Sequence, residues 1–268
     1  MDEHVNEFFS EKTEEIPHGN YHKAIALHDN PDISWKSVNA RIPSLCKGWF
    51  ELARLPSSDR IEFLKDFWLS TLPYKPKNHQ SLLDFFKRLD DIGVYIIQQK
   101  FADPFECKLV YSLRNNQGFY HGGVGATEEE IGLLQRLFPD HIIPEDYLSF
   151  IKIHNGFCKA TDTGVLRIDD IKENYEAFQA LLETGDPISL DEAKFIEPKT
   201  LIPFYKSFGM PVFQCFWSEW YPEQEMGNVY YSNFSRTISE SKQEKEVSEN
   251  LSFPTFVDWL CFYLEKVS

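Results

Sequence analysis

The spacing of the apolar residues changes at Gly93, and this change predicts the order of the secondary structure. Before it, Ile61, Leu64 and Trp68 recur at the three- and four-residue intervals of a helix face. After it, Val94-Tyr95-Ile96-Ile97 forms the short continuous apolar run that is typical of a buried strand. A chain that passes from helical to strand spacing in this way favours an α+β fold.

Further β-prone segments predict how the strands pair. Lys108–Ser112 and Gly118–Tyr120 flank Asn115-Asn116-Gln117, which indicates an antiparallel hairpin. In the second half, Pro211–Trp217 and Asn228–Ser232 are also β-prone. The sequence therefore predicts a helical and β-hairpin N-terminal part, followed by an α+β domain with a mainly antiparallel sheet.

Three helices of the second half have recognisable ends. Thr127-Glu128-Glu129-Glu130 has the pattern of a capping box, in which the Thr127 hydroxyl and the Glu130 carboxylate satisfy backbone N–H groups of the first turn. Pro144 suits the first turn of the next helix, and Asn155-Gly156 can adopt the left-handed conformation that ends one. Ser252 is the expected cap of a final amphipathic helix.

Composition along the chain predicts three regions. Residues 1–40 are polar and weakly patterned, and are expected to form an arm; residues 41–122 form the N-terminal domain and residues 127–268 the C-terminal one. The glycine-rich stretch Gly122–Ala126 is the expected linker, and Ser235–Asn250 is expected to be a polar loop.

Four segments of the C-terminal half occur in a recognisable order: Ile143–Gly156, Leu201–Phe204, Gly227–Tyr231 and Ser252–Leu264. Together they resemble the SUKH superfamily, which includes fungal Smi/Knr-type cell-wall regulators and bacterial toxin-immunity proteins. The resemblance implies an α+β domain whose sheet and adjoining helices bind a partner protein and perform no chemistry. In the immunity branch the implied partner is a toxin, often a nuclease or another cationic effector.

The charge balance narrows the class of partner. The chain has 42 acidic and 27 basic residues, a net charge of −15. Binding to duplex DNA or to anionic lipid depends on clustered cations, so neither nucleic acid nor a membrane surface is the expected partner. A basic protein is favoured by electrostatic steering. The five cysteines form no CxxC pair, and no signal peptide or membrane-length apolar run is evident, which predicts a cytoplasmic protein.

An aromatic segment with interspersed carboxylates is the predicted partner-binding site. A strand buries only alternate side chains, so at least one ring among Trp217, Trp220 and Tyr221 is expected to face outward, although each of them could also be a core residue. Exposed rings amid acidic residues are typical of a surface that binds a basic, partly apolar protein. The residues assigned to this site are Trp217, Glu219, Trp220, Tyr221, Glu223 and Tyr230.

Motifs that suggest chemistry have simpler explanations. Gly122-Gly123-Val124-Gly125 precedes a helix, but no lysine follows and three glutamates occupy the first turn, where a phosphate would lie. His18, His22 and His28 could ligate a metal, but Pro17 and Gly19 disfavour the helix that would align them. We therefore predict no catalytic residue, no cofactor and no metal.

Two other functions remain open from the sequence. One is a hydrolase with an acidic or Cys/His site at the domain junction, which requires that His121, Cys158 or His154 converge. The other is a scaffold protein without a discrete site.

Overall fold

The chain divides into two units. The computed structural model describes residues 1–14, 17–185, 187–188, 195–234, 236–238 and 251–265. The first unit consists mainly of Met1–Gly125 and Phe157–Ala160, and the second of Ala126–Gly156 and Thr161–Leu264. Each unit combines helices with antiparallel strands, which confirms the predicted α+β class.

The first unit has five short or medium helices and an antiparallel sheet. In chain order its elements are α1 (Glu3–Phe8), β1 (Lys23–Ala26), α2 (Trp35–Arg41), α3 (Lys47–Leu52), α4 (Ser57–Thr71), α5 (Pro76–Lys87), β2 (Leu89–Gln98), β3 (Glu106–Leu113), β4 (Phe119–Gly123) and β5 (Phe157–Lys159). Each strand pairs with the next along the chain, so β1 to β5 form a meander. The predicted hairpin is confirmed as β3 and β4.

A cluster of aromatic rings joins the helices of the first unit to its sheet. Trp68 of α4 is fully buried, and its indole Nε1 donates a hydrogen bond to the hydroxyl of Tyr111 on β3 at 3.0 Å. The Phe85 and Phe86 rings of α5 lie 6.0 and 5.7 Å from the Trp68 ring. The helical stripe that predicted α4 is therefore the face that covers the sheet.

Residues 1–40 are part of the first unit, so the prediction of a separate polar arm is wrong. Val5 is fully buried, and Asp2 is also buried: its backbone N–H donates to the Ser112 hydroxyl at 2.6 Å, and its carboxylate accepts from the Gly118 N–H at 2.7 Å. β1 pairs with β2 along its whole length. The buried positions of this segment follow no regular spacing and their partners lie about a hundred residues away, which is why pattern reasoning missed them.

The second unit also has an antiparallel meander. Its elements are α6 (Glu128–Leu137), α7 (Glu145–Ile151), β6 (Gly164–Val165), α8 (Ile168–Glu183), β7 (Leu201–Lys206), β8 (Val212–Trp217), β9 (Asn228–Ser232), β10 (Thr237–Ile238) and α9 (Phe256–Glu265). Strands β6 to β10 pair antiparallel, each with the next. The predicted strands of this half are confirmed as β8 and β9.

Helices cover both faces of the second sheet. Phe178 and Leu182 of α8 pack with Phe213 and Val229 on one face. On the other face the ring of Phe204 lies 5.3 Å from that of Phe256 at the start of α9. Side chains that alternate along β7, β8 and β9 therefore enter two different cores.

The predicted helix ends are right in part. Thr127 and Glu130 form the expected capping box of α6. Gly156 has the expected positive φ of 85°, but it does not end the helix: α7 ends at Ile151 with Lys152 as its C-cap, and Pro144 lies just before the first turn instead of in it. Ser252, however, does not cap the last helix. The Thr255 hydroxyl accepts from the Asp258 N–H at 3.3 Å, and α9 begins at Phe256.

The predicted linker and loop also need correction. Gly122 and Gly123 are the last residues of β4, so only the residues up to Ala126 are left to connect the units. The second unit begins at Ala126, close to the predicted boundary at residue 127, but Phe157–Ala160 belongs to the first unit. Within the predicted loop 235–250, Thr237–Ile238 is a strand, and residues 239–250 lie outside the described residues.

In the described part of the chain no helix has the length and apolarity needed to cross a membrane.

Candidate functional site

The ten residues between β8 and β9 form the candidate binding surface, called here the β8–β9 loop (Ser218–Gly227). Backbone hydrogen bonds close it at its base: the Trp217 N–H donates to the Gly227 carbonyl at 2.9 Å, and the Gly227 N–H donates to the Trp220 carbonyl at 2.8 Å. A further bond, from the Ser218 N–H to the Thr200 carbonyl at 2.9 Å, ties the loop to the residue before β7. These bonds give the loop a defined conformation.

The ring of Trp220 lies against the backbone of Gly227. A Cβ atom added to Gly227 would lie 2.6 Å from Cζ3 of the Trp220 ring, a distance that is too short for real atoms. Trp220 is half-buried and packs on the core beside α8, with its ring centroid 6.4 Å from that of Trp217. Only glycine at position 227 allows this close approach.

Four of the six predicted site residues lie on the β8–β9 loop. Tyr221 is 48% exposed, so it is the exposed ring expected among Trp217, Trp220 and Tyr221, but it lies on the loop and not on a strand, so strand alternation is not the cause. Glu219 and Glu223, two residues before and two residues after it in the chain, are exposed, and Trp220 is half-buried. The loop therefore presents an aromatic side chain flanked by carboxylates.

The other two predicted residues lie elsewhere. Trp217 is only 7% exposed and belongs to the core beside α8, so its assignment to a binding surface is wrong. Val229 and Tyr231 of β9 enter that same core, and Tyr230 alternates with them, which places Tyr230 on the opposite face of the sheet. Tyr230 is partly exposed and its pKa is raised by burial, but it is separate from the loop.

The charge of the β8–β9 loop has one sign. Its sequence, Ser-Glu-Trp-Tyr-Pro-Glu-Gln-Glu-Met-Gly, contains three glutamates and no lysine, arginine or histidine. Carboxylates around a partly apolar surface attract cationic groups and repel anionic ones. The loop is thus suited to a basic partner.

A second cluster, in the first unit, contains the Cys/His pair on which the hydrolase hypothesis depends. Cys158 of β5 lies opposite His121 of β4, and the Cys158 Sγ is 3.2 Å from the His121 Nε2. His154 does not belong to this cluster. It lies in the second unit, just after α7, where it is fully buried and its backbone N–H donates to the Phe150 carbonyl at 3.0 Å.

The hydrogen bonds of His121 oppose its use as a base. Its Nε2 lies 2.9 Å from the carbonyl oxygen of Ala160, and a carbonyl can only accept, so Nε2 carries the proton. The nitrogen nearest the Cys158 thiol is then a donor, and the acceptor nitrogen, Nδ1, lies farther from the sulfur, at 3.7 Å. A base that activates a thiol must present its lone pair to the thiol hydrogen.

The surroundings of His121 also keep its ring neutral. The Phe8, Phe9 and Phe119 rings lie 5.3, 5.7 and 5.9 Å from it. The pKa of His121 is lowered to about 4, mainly by burial; the hydrogen bond to Ala160 acts in the opposite direction, and the nearby charge of Lys108 adds a smaller lowering. A neutral donor imidazole among aromatic rings is suited to a structural role.

The motifs that suggest a phosphate or a metal site, neither of which we predicted to be functional, can be located in the structure. Gly122 and Gly123 donate and accept within the sheet, because they pair with Leu109 and Lys108 of β3. Among the described residues, no group of three or more histidine, cysteine or acidic side chains is arranged to hold a metal ion.

Comparisons of the chain with protein-family models, with curated proteins and with solved structures found no match.

Proposed function

We propose that this protein is a non-enzymatic binding module of the immunity or regulatory type, which captures a basic partner protein with its β8–β9 loop. The observation that carries the proposal is the pairing of an exposed ring, Tyr221, with the flanking carboxylates of Glu219 and Glu223 on a loop fixed by its own backbone. Aromatic anchors with a charged rim are the usual centre of protein interfaces.

The fixed conformation of the loop contributes to the expected affinity. Ordering a mobile loop on binding costs conformational entropy, whereas a loop already closed by the Trp217–Gly227 hydrogen bond loses less. The Trp220 ring packs against Gly227, and the Gly227 N–H donates to the Trp220 carbonyl, so Trp220 helps to hold the loop closed at its base. A rigid aromatic side chain then adds contact area with few rotatable bonds to immobilise.

The SUKH resemblance supports the same function. It rests on the segments that form α7, β7, β9 and α9. Of these, β9 is one of the two strands that the loop joins, and β7 pairs with the other, β8. In the immunity branch of that family the partner would be a cationic toxin or effector, to which the acidic loop is complementary. The proposal places the protein in the cytoplasm and assigns it neither a nucleic acid nor a membrane as partner. Fractionation of cells expressing the tagged chain checks the location.

A hydrolase is the second candidate, because the Cys158 Sγ does lie 3.2 Å from an imidazole nitrogen. The donor role of that nitrogen makes it the less supported function. Alkylation of Cys158 by iodoacetamide distinguishes the two. An ordinary thiol reacts progressively faster as the pH rises through its usual range near 8.5, whereas a thiolate paired with an imidazolium reacts rapidly already at pH 6.

Affinity capture with the full chain tests the binding function. We expect Tyr221→Ala to reduce capture of a specific partner at least tenfold, since aromatic anchors commonly contribute 2 kcal/mol or more, that is, about a factor of thirty. Glu219→Lys should also weaken capture, and more strongly at low salt, because it replaces attraction with repulsion.

Phe101→Ala is the matched control, since Phe101 is an exposed ring of the first unit, in the connection between β2 and β3. This variant should capture the partner as the unaltered chain does. Equal capture by all three variants, each with an unchanged circular dichroism spectrum, would contradict the proposed surface.

A further inference from the structure

A groove of about 480 Å³ opens in the second unit between one face of α8 and the turn that joins β7 to β8. Its apolar lining comes from Ala177, Phe178 and Leu181 of α8 and from Met210, Pro211 and Phe213 of the turn and β8. This volume lies within the range of natural binding pockets, about 300–1,000 Å³. The groove is open along one side, so it can accept a side chain that belongs to a larger chain.

Apolar side chains outside the groove extend this surface. Phe208 and Met210 of the β7–β8 turn are 69% and 50% exposed, and Phe234 of the β9–β10 turn is 74% exposed. The two turns are joined by a hydrogen bond from the Asn233 N–H to the Pro211 carbonyl at 3.1 Å. Clustered exposed apolar side chains mark interaction surfaces, and this one is wider than a small ligand filling the groove would cover. A macromolecular partner is therefore favoured.

Among the described residues that line the groove, one side chain, that of Lys206, is positively charged. Lys206 is the last residue of β7, directly opposite Phe213, and its Nζ lies 5.9 Å from the centroid of the Phe213 ring. Among the described residues no carboxylate lies within ion-pair distance of Lys206. An ammonium group over a ring at the edge of an apolar groove is complementary to a carboxylate beside an apolar side chain.

The groove and the β8–β9 loop lie at opposite ends of the strands of the second unit. In an antiparallel meander, successive connections alternate between the two ends of the sheet. The β7–β8 and β9–β10 turns are therefore at one end, and the β8–β9 loop at the other. The two surfaces also differ in charge, since the loop is acidic and the groove has a lysine.

We propose that the groove binds an acidic-apolar peptide segment of a second partner protein. One large apolar side chain of the segment fills the groove between Leu181 and Met210, and a neighbouring aspartate or glutamate pairs with Lys206. Phe208 and Phe234 cover the apolar residues on either side of this pair.

Synthetic nonapeptides test the proposal on the full chain. Three fluorescein-labelled series place a leucine or phenylalanine next to glutamate, glutamine or lysine, and fluorescence polarisation measures their dissociation constants. We expect the glutamate series to bind, the glutamine series to bind at least tenfold more weakly, and the lysine series to show no binding. In Lys206→Glu this order should be inverted.

Matched controls separate the groove from general charge and apolarity. Lys172→Glu changes an exposed lysine of α8 that does not line the groove, and it should leave the order unchanged. Met210→Glu should abolish peptide binding, whereas Leu133→Glu, at a half-exposed leucine of α6, should not. Tyr221→Ala should bind the peptides like the unaltered chain, because Tyr221 lies on the β8–β9 loop and not at the groove. The two proposals can therefore fail independently of each other.

Several results would overturn the proposal. They are equal affinity for the three series, peptide binding that persists in Lys206→Glu with the same preference, or no binding of any series up to millimolar concentration. Binding of decanoate that Met210→Glu abolishes, without peptide binding, would assign the groove to a small carboxylate. A dimer in sedimentation that Met210→Glu dissociates would assign it to a second copy of the chain.

Discussion

His121 illustrates how the environment of one side chain decides its chemistry. A histidine opposite a cysteine suggests a catalytic pair, yet the Ala160 carbonyl fixes the proton on Nε2, and the Phe8 and Phe119 rings pack against an imidazole that is largely removed from solvent. A buried neutral imidazole has a proton equilibrium that differs between the folded and unfolded chain. This difference makes the role of His121 measurable.

The stability of the first unit should fall as the pH is lowered from about 6.5 to about 4. In the unfolded chain the pKa of His121 has its ordinary value of 6.5, whereas burial lowers it to about 4 in the folded chain. Between these values the unfolded state binds a proton that the folded state does not, so the stabilisation present above pH 6.5 is lost on acidification. The loss approaches about 3 kcal/mol, at about 1.4 kcal/mol for each unit of pKa difference.

Urea unfolding of the unaltered chain and of His121→Phe, from pH 7 to pH 4, measures this effect. The phenylalanine ring fits among the neighbouring rings and cannot be protonated, so the variant should lose less stability with falling pH. His28, whose pKa is also lowered by burial, remains in both proteins and cancels from the comparison. Parallel pH curves for the two proteins would contradict the buried neutral histidine.

Among the elements, the β8–β9 loop depends most on one residue. Gly227→Ala should lower the free energy of unfolding by about 1–3 kcal/mol, because the added methyl group overlaps the Trp220 ring. The Gly227 backbone cannot easily move away, since it is hydrogen-bonded to the backbone of both Trp217 and Trp220. The displaced indole should also become more accessible to acrylamide quenching.

Gly48→Ala is the control for that substitution. Gly48 lies in α3, where an added Cβ would meet nothing within 4 Å, so alanine should be neutral or stabilise the helix by up to about 1 kcal/mol. If the two variants unfold alike, the close approach of Trp220 to Gly227 does not constrain the loop.

Elements with local signals were predictable, and those fixed by distant contacts were not. The capping box at Thr127 and the left-handed Gly156 follow from residues within one turn of each other. The Thr-x-x-Asp pattern from Thr255 to Asp258 was also present in the sequence and marks the true start of α9, where Ser252 was preferred. The period of two along β8 predicts an outward-facing ring, but helices cover both faces of this sheet, so every residue of β8 is buried and Trp217 belongs to the core beside α8.

At the scale of the whole molecule, neither unit is one continuous segment of the chain. The first unit takes its last strand, β5, from residues that follow α6 and α7 of the second. Phe157 of β5 is buried, with its ring stacked on that of Tyr120 at 5.7 Å and edge-on to that of Trp68 at 5.8 Å. No periodicity in so short a strand could have predicted this membership, because it is decided by pairing with β4.

Phe157→Ala should therefore destabilise the first unit, although residue 157 lies beyond its main segment. We expect a loss of about 3–5 kcal/mol, the usual cost of removing a buried aromatic ring. Hydrogen exchange should report it as lower protection of the amides of β4, which pairs with β5. Leu133→Ala, at a half-exposed position of α6, should change the stability by less than about 1 kcal/mol and leave β4 protected. Similar losses in both variants would show that β5 is not integral to the first unit.

The interleaving of β5 has a consequence for how such a gene can be divided. If the chain is divided at Gly125, by recombination or in an expression plasmid, the N-terminal product lacks its fifth strand, the one that pairs with β4. Phe157 is then in the C-terminal product, without the Trp68 and Tyr120 rings on which it packs. The two halves are expected to be inherited together, and two-hybrid or affinity baits should carry the complete chain.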